Sequence, residues 1–279
     1  MAATSGLTFA SVGLTSMVLN WTAASPTTGI VRYAIYASAD GGTTFNYVGQ
    51  TANASAVTFT ATGLLANTNY IWRVYSVSEG ALGSSYPEES QATNACSIAG
   101  GTYSVGPTGT YATLTAAMTA LTGSGITGPV ILELQATYVS SAEPAFPVVL
   151  GNVACAGSTN TITIRPETGA TALSITSNSA TATISIDGGN YYRIDGRPGG
   201  SGSADLAIGN TGAAPAIRFI NDASNNIVRY ATVTSTVAST TSGLITFSTT
   251  TGANGNDNNT IDNCDLNGAG TAANIIYAS

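Results

Sequence analysis

The feature that most constrains the fold is an internal repeat in the second half of the chain. Pairs of apolar residues at positions i and i+2 recur with offsets of 22, 33, 28 and 30 residues; they are Ile162/Ile164, Ile184/Ile186, Ile217/Phe219, Ile245/Phe247 and Ile275/Tyr277. A second series recurs with offsets of 34 and 33 residues and consists of Ile194, Val228 and Ile261. Apolar alternation with period two indicates strands, and a repeat of this length is typical of solenoids.

These two series predict a right-handed parallel β-helix whose coils begin at about residue 130. Equivalent side chains of successive coils would then lie above one another at the inter-strand spacing of roughly 4.8 Å. The sequence Asn225-Asn226-Ile227-Val228 is echoed by Asn258-Asn259-Thr260-Ile261. We therefore expect asparagine and threonine side chains to form hydrogen-bonded ladders at the corners of the coils.

One helical segment is predicted at about residues 111–122. Leu114, Ala117, Met118 and Leu121 follow the i, i+3, i+4, i+7 pattern of a single apolar face, and a glycine-containing segment ends it at residues 123–125. An open end of a β-helix exposes unpaired backbone and apolar side chains. The helix is therefore interpreted as a cap on the second domain, which spans residues 96–279.

Residues 1–95 are predicted to form a β-sandwich, because seven short apolar/polar runs are separated by turn residues. The sequence from Gly63-Leu64 to Thr68-Asn69-Tyr70 resembles the signature of the fibronectin type III family. The resemblance implies that Leu64 fills the core and that the Tyr70 hydroxyl bonds to upstream backbone. The fold class is thus all-β, a fibronectin type III-like sandwich followed by a capped parallel β-helix.

The second domain is similar to the large secreted β-helix proteins of bacterial surfaces. The resemblance is carried by residues 111–134, 190–197, 216–219 and 256–261. It implies an extracellular or cell-surface location and an adhesive or matrix role. The first residues lack a basic and an apolar signal region, and residues 273–277 end within a repeat, so we interpret the sequence as part of a longer protein with an incomplete last coil.

Composition excludes several kinds of partner. The formal net charge is −7, all seven basic residues are arginine, and lysine and histidine are absent. Nucleic acid and anionic membrane surfaces are therefore not expected as partners, and no apolar run is long enough for membrane insertion. Cys96 and Cys155 are candidates for a disulfide in an oxidising compartment; the alternative is that they and Cys264 are small buried residues.

Catalysis by the β-helix is the main alternative. Asp187, Asp195, Arg193 and Arg197 are the candidate residues of a polysaccharide lyase or glycosidase, since such enzymes need paired carboxylates or an arginine base. However, Asp195-Gly196 is also a good turn, and arginines beside it can neutralise the aspartate structurally. We therefore predict no catalytic site.

Two binding hypotheses remain open. Tyr191 and Tyr192 are candidates for glycan binding. No cofactor is expected, although Asp257 and Asp262 are weak candidates for calcium ligands beside an asparagine-rich corner. The chain is therefore predicted to be a non-catalytic extracellular structural or adhesive protein whose partners are further copies of itself or surface and matrix polymers, including glycans.

Overall fold

The structure is a computed structural model that describes residues 1–248, 254–268 and 272–279. The chain divides into two compact units, Met1–Cys96 and Ser97–Ser279. The boundary predicted from the sequence lay between residues 95 and 96. Each unit has its own hydrophobic core.

The first unit is a sandwich of two antiparallel sheets. One sheet has the order β1-β2-β5, with β1 Ser5–Ala10, β2 Met17–Thr22 and β5 Thr58–Ala61. The other has the order β4-β3-β6-β7, with β3 Arg32–Ser38, β4 Asn46–Gln50, β6 Asn69–Val77 and β7 Glu88–Ala92. In β6 alternate residues are buried, because successive side chains of a strand point to opposite faces of the sheet.

The core of the sandwich contains both tryptophans and the residues of the family signature. Trp21 and Trp72 are buried, and so are Leu64 and Tyr70. The Leu65 N–H donates to the Tyr70 hydroxyl at 2.9 Å, so the tyrosine bonds to backbone five residues upstream. The predicted roles of Leu64 and Tyr70 are confirmed.

The second unit is a β-solenoid of about five turns built from three parallel sheets. The first sheet, here the six-stranded sheet, contains β8 Gly101–Val105, β9 Val130–Leu134, β11 Ile162–Pro166, β14 Tyr192–Asp195, β17 Ile227–Arg229 and β20 Thr260–Asp262. The second, the five-stranded sheet, contains β10 Val148–Gly151, β13 Ile184–Asp187, β16 Ile217–Ile220, β19 Ile245–Phe247 and β22 Ile276–Ala278. The third contains β12 Leu173–Ser177, β15 Leu206–Asn210, β18 Ala231–Ser235 and β21 Asp265–Asn267.

Each coil contributes one strand to the six-stranded sheet, then one to the third sheet and then one to the five-stranded sheet. In the first coil the short 3-10 helix Ser140–Ala142 lies between β9 and β10. The predicted all-β fold with a parallel β-helix is confirmed. The right hand of the coil stays a prediction based on the general preference of parallel crossovers.

The register confirms both apolar series in their central coils. Ile184 pairs with Ile217 and Ile217 with Ile245, while Ile194 pairs with Val228 and Val228 with Ile261. The inner side chains form one continuous core, in which Phe219 and Phe247 stack with ring centroids 4.4 Å apart.

Two of the five pairs in the first series were wrongly placed. Ile162 and Ile164 belong to the six-stranded sheet, where they pair with Val130 and Leu132, because the offset of 22 residues to Ile184 leads to another face of the same coil. In the last coil Ile276 pairs with Ile245, whereas Ile275 was expected there. Two adjacent isoleucines left that register ambiguous, since a one-residue slip exchanges the two faces of a strand.

The third sheet has its own apolar series that the sequence reading missed. Leu173 pairs with Leu206 and Leu206 with Ala231, while Ile175 pairs with Ile208 and Ile208 with Val233. The Leu-x-Ile pairs at 173–175 and 206–208 are 33 residues apart and could have revealed it.

The helix α1 spans Leu114–Ser124, and its buried residues are the four predicted for the apolar face. Thr113 caps its N-terminus by accepting from the Ala116 N–H at 3.0 Å. The Glu143 carboxylate also accepts from the N–H groups of Leu114 and Thr115, at 2.7 and 3.0 Å. A carboxylate is favourable there because the N-terminal N–H groups of a helix carry partial positive charge.

The predicted asparagine ladder is present at the corner before the six-stranded sheet. The side-chain oxygen of Asn226 accepts from the Tyr192 N–H at 2.9 Å, and its side-chain amide donates to Asn259 at 3.0 Å and to the Gly189 carbonyl at 2.9 Å. Asn226 is fully buried, so these bonds satisfy an amide that water does not reach.

Candidate functional site

The outer face of the six-stranded sheet carries a row of alternating charges, here called the charge ladder. Its members are Glu133, Arg165, Asp195, Arg229 and Asp262. Across neighbouring strands, Glu133 pairs with Arg165, Asp195 with Arg229, and Arg229 with Asp262. The row continues from Arg165 to Asp195, because these residues directly follow Ile164 and Ile194, which pair with each other. The Arg165 and Glu133 side chains form a salt bridge of 2.6 Å.

Asp195, one of the candidate catalytic residues, is the most enclosed member of the ladder, with 1% of its surface exposed. Arg197 donates from Nε to Oδ1 and from Nη2 to Oδ2, both at 2.9 Å, and from its backbone N–H to Oδ1 at 3.2 Å. Arg229 donates to Oδ2 from Nε at 3.0 Å and from Nη2 at 2.8 Å.

Burial alone raises the pKa of Asp195. The hydrogen bonds from Arg197 and the charges of Arg229 and Arg197 outweigh burial, so that its pKa lies below the usual value. Arg197 in turn lies over the Tyr230 ring, 3.9 Å from its centroid. The site therefore holds Asp195 as an ionised, fully bonded carboxylate.

The other candidate catalytic residues lie elsewhere. Asp187 ends β13 and accepts a short hydrogen bond from the Asn221 side chain. Asp195 is the last residue of β14. It lies three residues after the start of that strand, which corresponds to roughly 10 Å. Arg193 occupies a different row, between Thr163 and Ile227. The structure thus brings together Asp195, Arg197 and Arg229. Asp195 and Arg197 belong to the candidate site predicted from the sequence.

The two tyrosines proposed for glycan binding have different positions. Tyr192 is fully buried in the solenoid core and donates its hydroxyl to the Gly151 carbonyl at 2.7 Å. The proposal was wrong for Tyr192, because the side chain of the first residue of β14 points inward. Tyr191 is half-buried at a corner position with φ of 62°, equivalent to Asn225 and Asn258, whose φ values are 61° and 55°.

The two weak calcium candidates lie at opposite ends of β20. Asp257 precedes the strand, where its N–H donates to the Ser224 hydroxyl at 3.0 Å, and Asp262 ends it, beside the Asn263 amide at 2.9 Å. Within residues 1–248, 254–268 and 272–279, no group of three acidic or cysteine side chains is placed to hold a metal ion. Calcium binding stays a prediction.

The outer face of the sandwich's four-stranded sheet carries a cluster that the sequence reading did not single out. We call it the aromatic face; it consists of Tyr36, Phe45, Tyr47, Tyr75 and Tyr86 around Arg73. Neighbouring tyrosine centroids are 4.5–5.5 Å apart. The sequence alone does not show that Tyr36 and Tyr75 lie on this outer face of β3 and β6.

A cavity of about 240 Å³ lies between α1 and β10. Its lining is Thr115, Met118, Thr119, Thr122, Ala145, Pro147, Val149 and Gly151, without a titratable side chain. This cavity therefore offers no acid or base for catalysis.

The three cysteines are in two different chemical states. Cys96 and Cys155, the predicted partners, are both disulfide-bonded. Cys264 is a free thiol that is half-buried, and burial raises its pKa above the usual value. A buried thiol with a raised pKa is a poor nucleophile.

The comparisons concern the first unit. Residues 2–93 match the fibronectin type III domain. A myokine structure is 17% identical over 33% of this chain and 97% of that chain, with a TM-score of 0.30. A fibronectin type III domain of human collagen XX is 23% identical over 33% of this chain and 92% of that chain, with a TM-score of 0.28.

A three-domain titin structure is 23% identical over 33% of this chain and 32% of that chain, with a TM-score of 0.30. No curated protein matches the sequence. Among the residues the structure describes, no helix is long and apolar enough to cross a membrane. A fibronectin type III domain followed by a β-solenoid is the architecture of a structural or binding protein.

Proposed function

We propose that the chain is a non-catalytic structural and adhesive protein of the cell surface or extracellular matrix. The observation that carries the proposal is the enclosure of Asp195 between two guanidinium groups. Its partners in this proposal are extracellular polymers, including glycans and further copies of the chain.

The state of Asp195 argues against both carboxylate roles in glycoside hydrolysis. A general acid must hold its proton near neutral pH, which requires a raised pKa, whereas the pKa of Asp195 is lowered. A nucleophile or base must reach the sugar, whereas 1% of Asp195 is exposed and both carboxylate oxygens accept hydrogen bonds from arginine. The charge ladder instead joins successive coils, which is a structural role.

Two observations support an extracellular location. Fibronectin type III domains are common in extracellular proteins. Cys96 and Cys155 are disulfide-bonded, and disulfides persist mainly in oxidising compartments.

The test is incubation of the purified chain with neutral and acidic polysaccharides, followed by assays for new reducing ends and for unsaturated products. We expect no turnover from the wild type above that of the Asp195→Asn variant. Asp262→Asn is the matched control, because it removes an exposed carboxylate from the same ladder. Turnover that is abolished by Asp195→Asn and retained by Asp262→Asn would establish the enzyme instead.

A further inference from the structure

The aromatic face is partly exposed: Tyr47 is exposed, and Tyr36, Phe45, Tyr75 and Tyr86 are half-buried. Tyr36 and Tyr47 are cross-strand partners on β3 and β4, and Tyr47 is 54% exposed. Tyr75 lies on β6 beside Tyr36, with centroids 5.3 Å apart, and Tyr86 lies 4.5 Å from Tyr75. Four tyrosine rings therefore extend across three strands and the segment before β7. A contiguous aromatic surface that is partly open to solvent marks an interaction site more often than scattered apolar residues do.

The rings are held in place before any ligand arrives. The Tyr36 ring meets Tyr47 and Tyr75 in edge-to-face geometry, with interplanar angles of 70° and 78°. The Arg73 guanidinium lies 3.4 Å from the Phe45 centroid and 4.6 Å from the Tyr86 centroid. Preorganised rings lose little conformational entropy on binding, which favours affinity.

The charge of Arg73 is already balanced within the face. Its Nε and Nη2 both lie 2.7 Å from Oε2 of Glu88. A ligand thus meets aromatic rings, tyrosine hydroxyl groups and an ion pair, without an unbalanced cation to hold a carboxylate or sulfate. An uncharged ligand with apolar faces and hydroxyl rims is complementary to such a surface.

We propose that the aromatic face binds a neutral polysaccharide chain. The C–H faces of the sugar rings stack on the tyrosines, and sugar hydroxyl groups bond with tyrosine hydroxyls and with the Arg73–Glu88 pair. This inference deepens the proposed function, on whose binding role it rests, by naming the class of polymer. A second copy of the chain is the competing occupant. Protein interfaces are also enriched in tyrosine and arginine, so the test below includes sedimentation, which separates the two occupants.

The test is native affinity electrophoresis of the full chain in gels that contain a neutral β-glucan, a mannan or a xylan, compared with polygalacturonate and alginate. We expect retardation by at least one neutral polymer and none by the acidic ones. Tyr47→Ala should weaken binding about tenfold, which corresponds to about 1.4 kcal/mol and lies within the range for an aromatic contact. Tyr47→Phe keeps the ring and should retain most of the binding.

Tyr191→Ala is the matched control, because it removes a half-buried tyrosine from the solenoid and should leave the retardation unchanged. Far-ultraviolet circular dichroism checks that every variant is folded. Three results would each overturn the inference. They are no retardation by any neutral polymer, equal retardation of Tyr47→Ala and wild type, and a loss of retardation confined to Tyr191→Ala. So would an effect of Tyr47→Ala on sedimentation alone, which would assign the face to self-association.

Failure of this inference is distinguishable from failure of the proposed function. If no neutral polymer retards the chain and no new reducing ends form, the protein is non-catalytic and has another partner. New reducing ends that depend on Asp195 remove the proposed function whether or not the aromatic face binds sugar.

Discussion

Replacing Asp195 by asparagine tests the structural role of the charge ladder. The variant keeps the shape of the side chain and removes the charge that receives five donor contacts from Arg197 and Arg229. It leaves two guanidinium groups facing an amide that presents a single acceptor oxygen. We therefore expect the solenoid to lose stability.

The expected loss follows from the exposure of the three side chains. Removing one partner of a fully buried ion pair costs about 3–5 kcal/mol. Asp195 is 1% exposed, but the side chains of Arg197 and Arg229 are 18% and 34% exposed, so water compensates part of their lost interaction. We expect a loss of about 2–3 kcal/mol in the free energy of unfolding.

The two units can be followed separately. Trp21 and Trp72 are the two tryptophans of the chain and both lie in the sandwich core, so tryptophan emission reports unfolding of the first unit. Far-ultraviolet circular dichroism reports the strands of both. A loss of 2–3 kcal/mol should lower the midpoint of the solenoid transition by about 5–10 °C, given roughly 2–4 °C per kcal/mol for a unit of this size. The tryptophan transition should not move.

The pH dependence has a defined sign. The folded pKa of Asp195 lies below the ordinary aspartate value of about 3.9, so its contribution is complete above that value and is lost as pH falls through the folded pKa. The difference between wild type and Asp195→Asn should be constant near neutral pH and shrink below about pH 4. The control Asp262→Asn should change stability by less than about 0.5 kcal/mol. Equal losses in the two variants, or none in Asp195→Asn, would refute the reasoning.

Two further predictions use the same two probes, and a third uses a thiol reagent. Asn226→Ala should destabilise the solenoid by about 2 kcal/mol or more, because it leaves the Tyr192 N–H and the Gly189 carbonyl without their buried partner, whereas the exposed Asn152→Ala should have little effect. Glu143→Gln should cost about 1–2 kcal/mol in the same transition by removing the negative charge at the N-terminus of α1; an unchanged midpoint would contradict this. In denaturant, a thiol reagent should find one thiol per chain, that of Cys264, before reduction and three after it, and three before reduction would disprove the disulfide.

The sequence predicts the elements whose inner residues repeat. The sandwich, the coil period, the apolar face of α1 and the asparagine corner all follow from side-chain periodicity, which the hydrophobic core enforces. The errors arise where periodicity is ambiguous. Ile162 was assigned to the series of Ile184, because an i, i+2 pair has the same appearance on every face of a coil. A coil with three faces produces several apolar series. The sequence alone does not show to which face each series belongs.

Outward-facing sites were less predictable, because their neighbours are set by registers that only the assembled fold defines. Arg229 contacts Asp195 across 34 residues of sequence, and Tyr47 contacts Tyr36 across a bulged register. Proximity in sequence suggested Asp187 and Arg193 as companions of Asp195. A corner separates Asp187 from it, and Arg193, although on the same face of β14, belongs to the neighbouring cross-strand row. The useful signal for Arg229 was available, since the second apolar series places Val228 over Ile194 and therefore Arg229 over Asp195.

Coil stacking also restricts which charged residues the solenoid can carry. Equivalent residues of successive coils lie roughly 4.8 Å apart, so a repeated charge would face its own sign in every neighbouring coil, and like charges opposite one another destabilise a sheet. Asparagine, serine and threonine escape this penalty because each donates and accepts hydrogen bonds, as Asn226 and Asn259 do. Charge is tolerated where its sign alternates from coil to coil, and the ladder from Glu133 to Asp262 has that pattern. The order of signs in this row is therefore the one that stacking of successive coils favours.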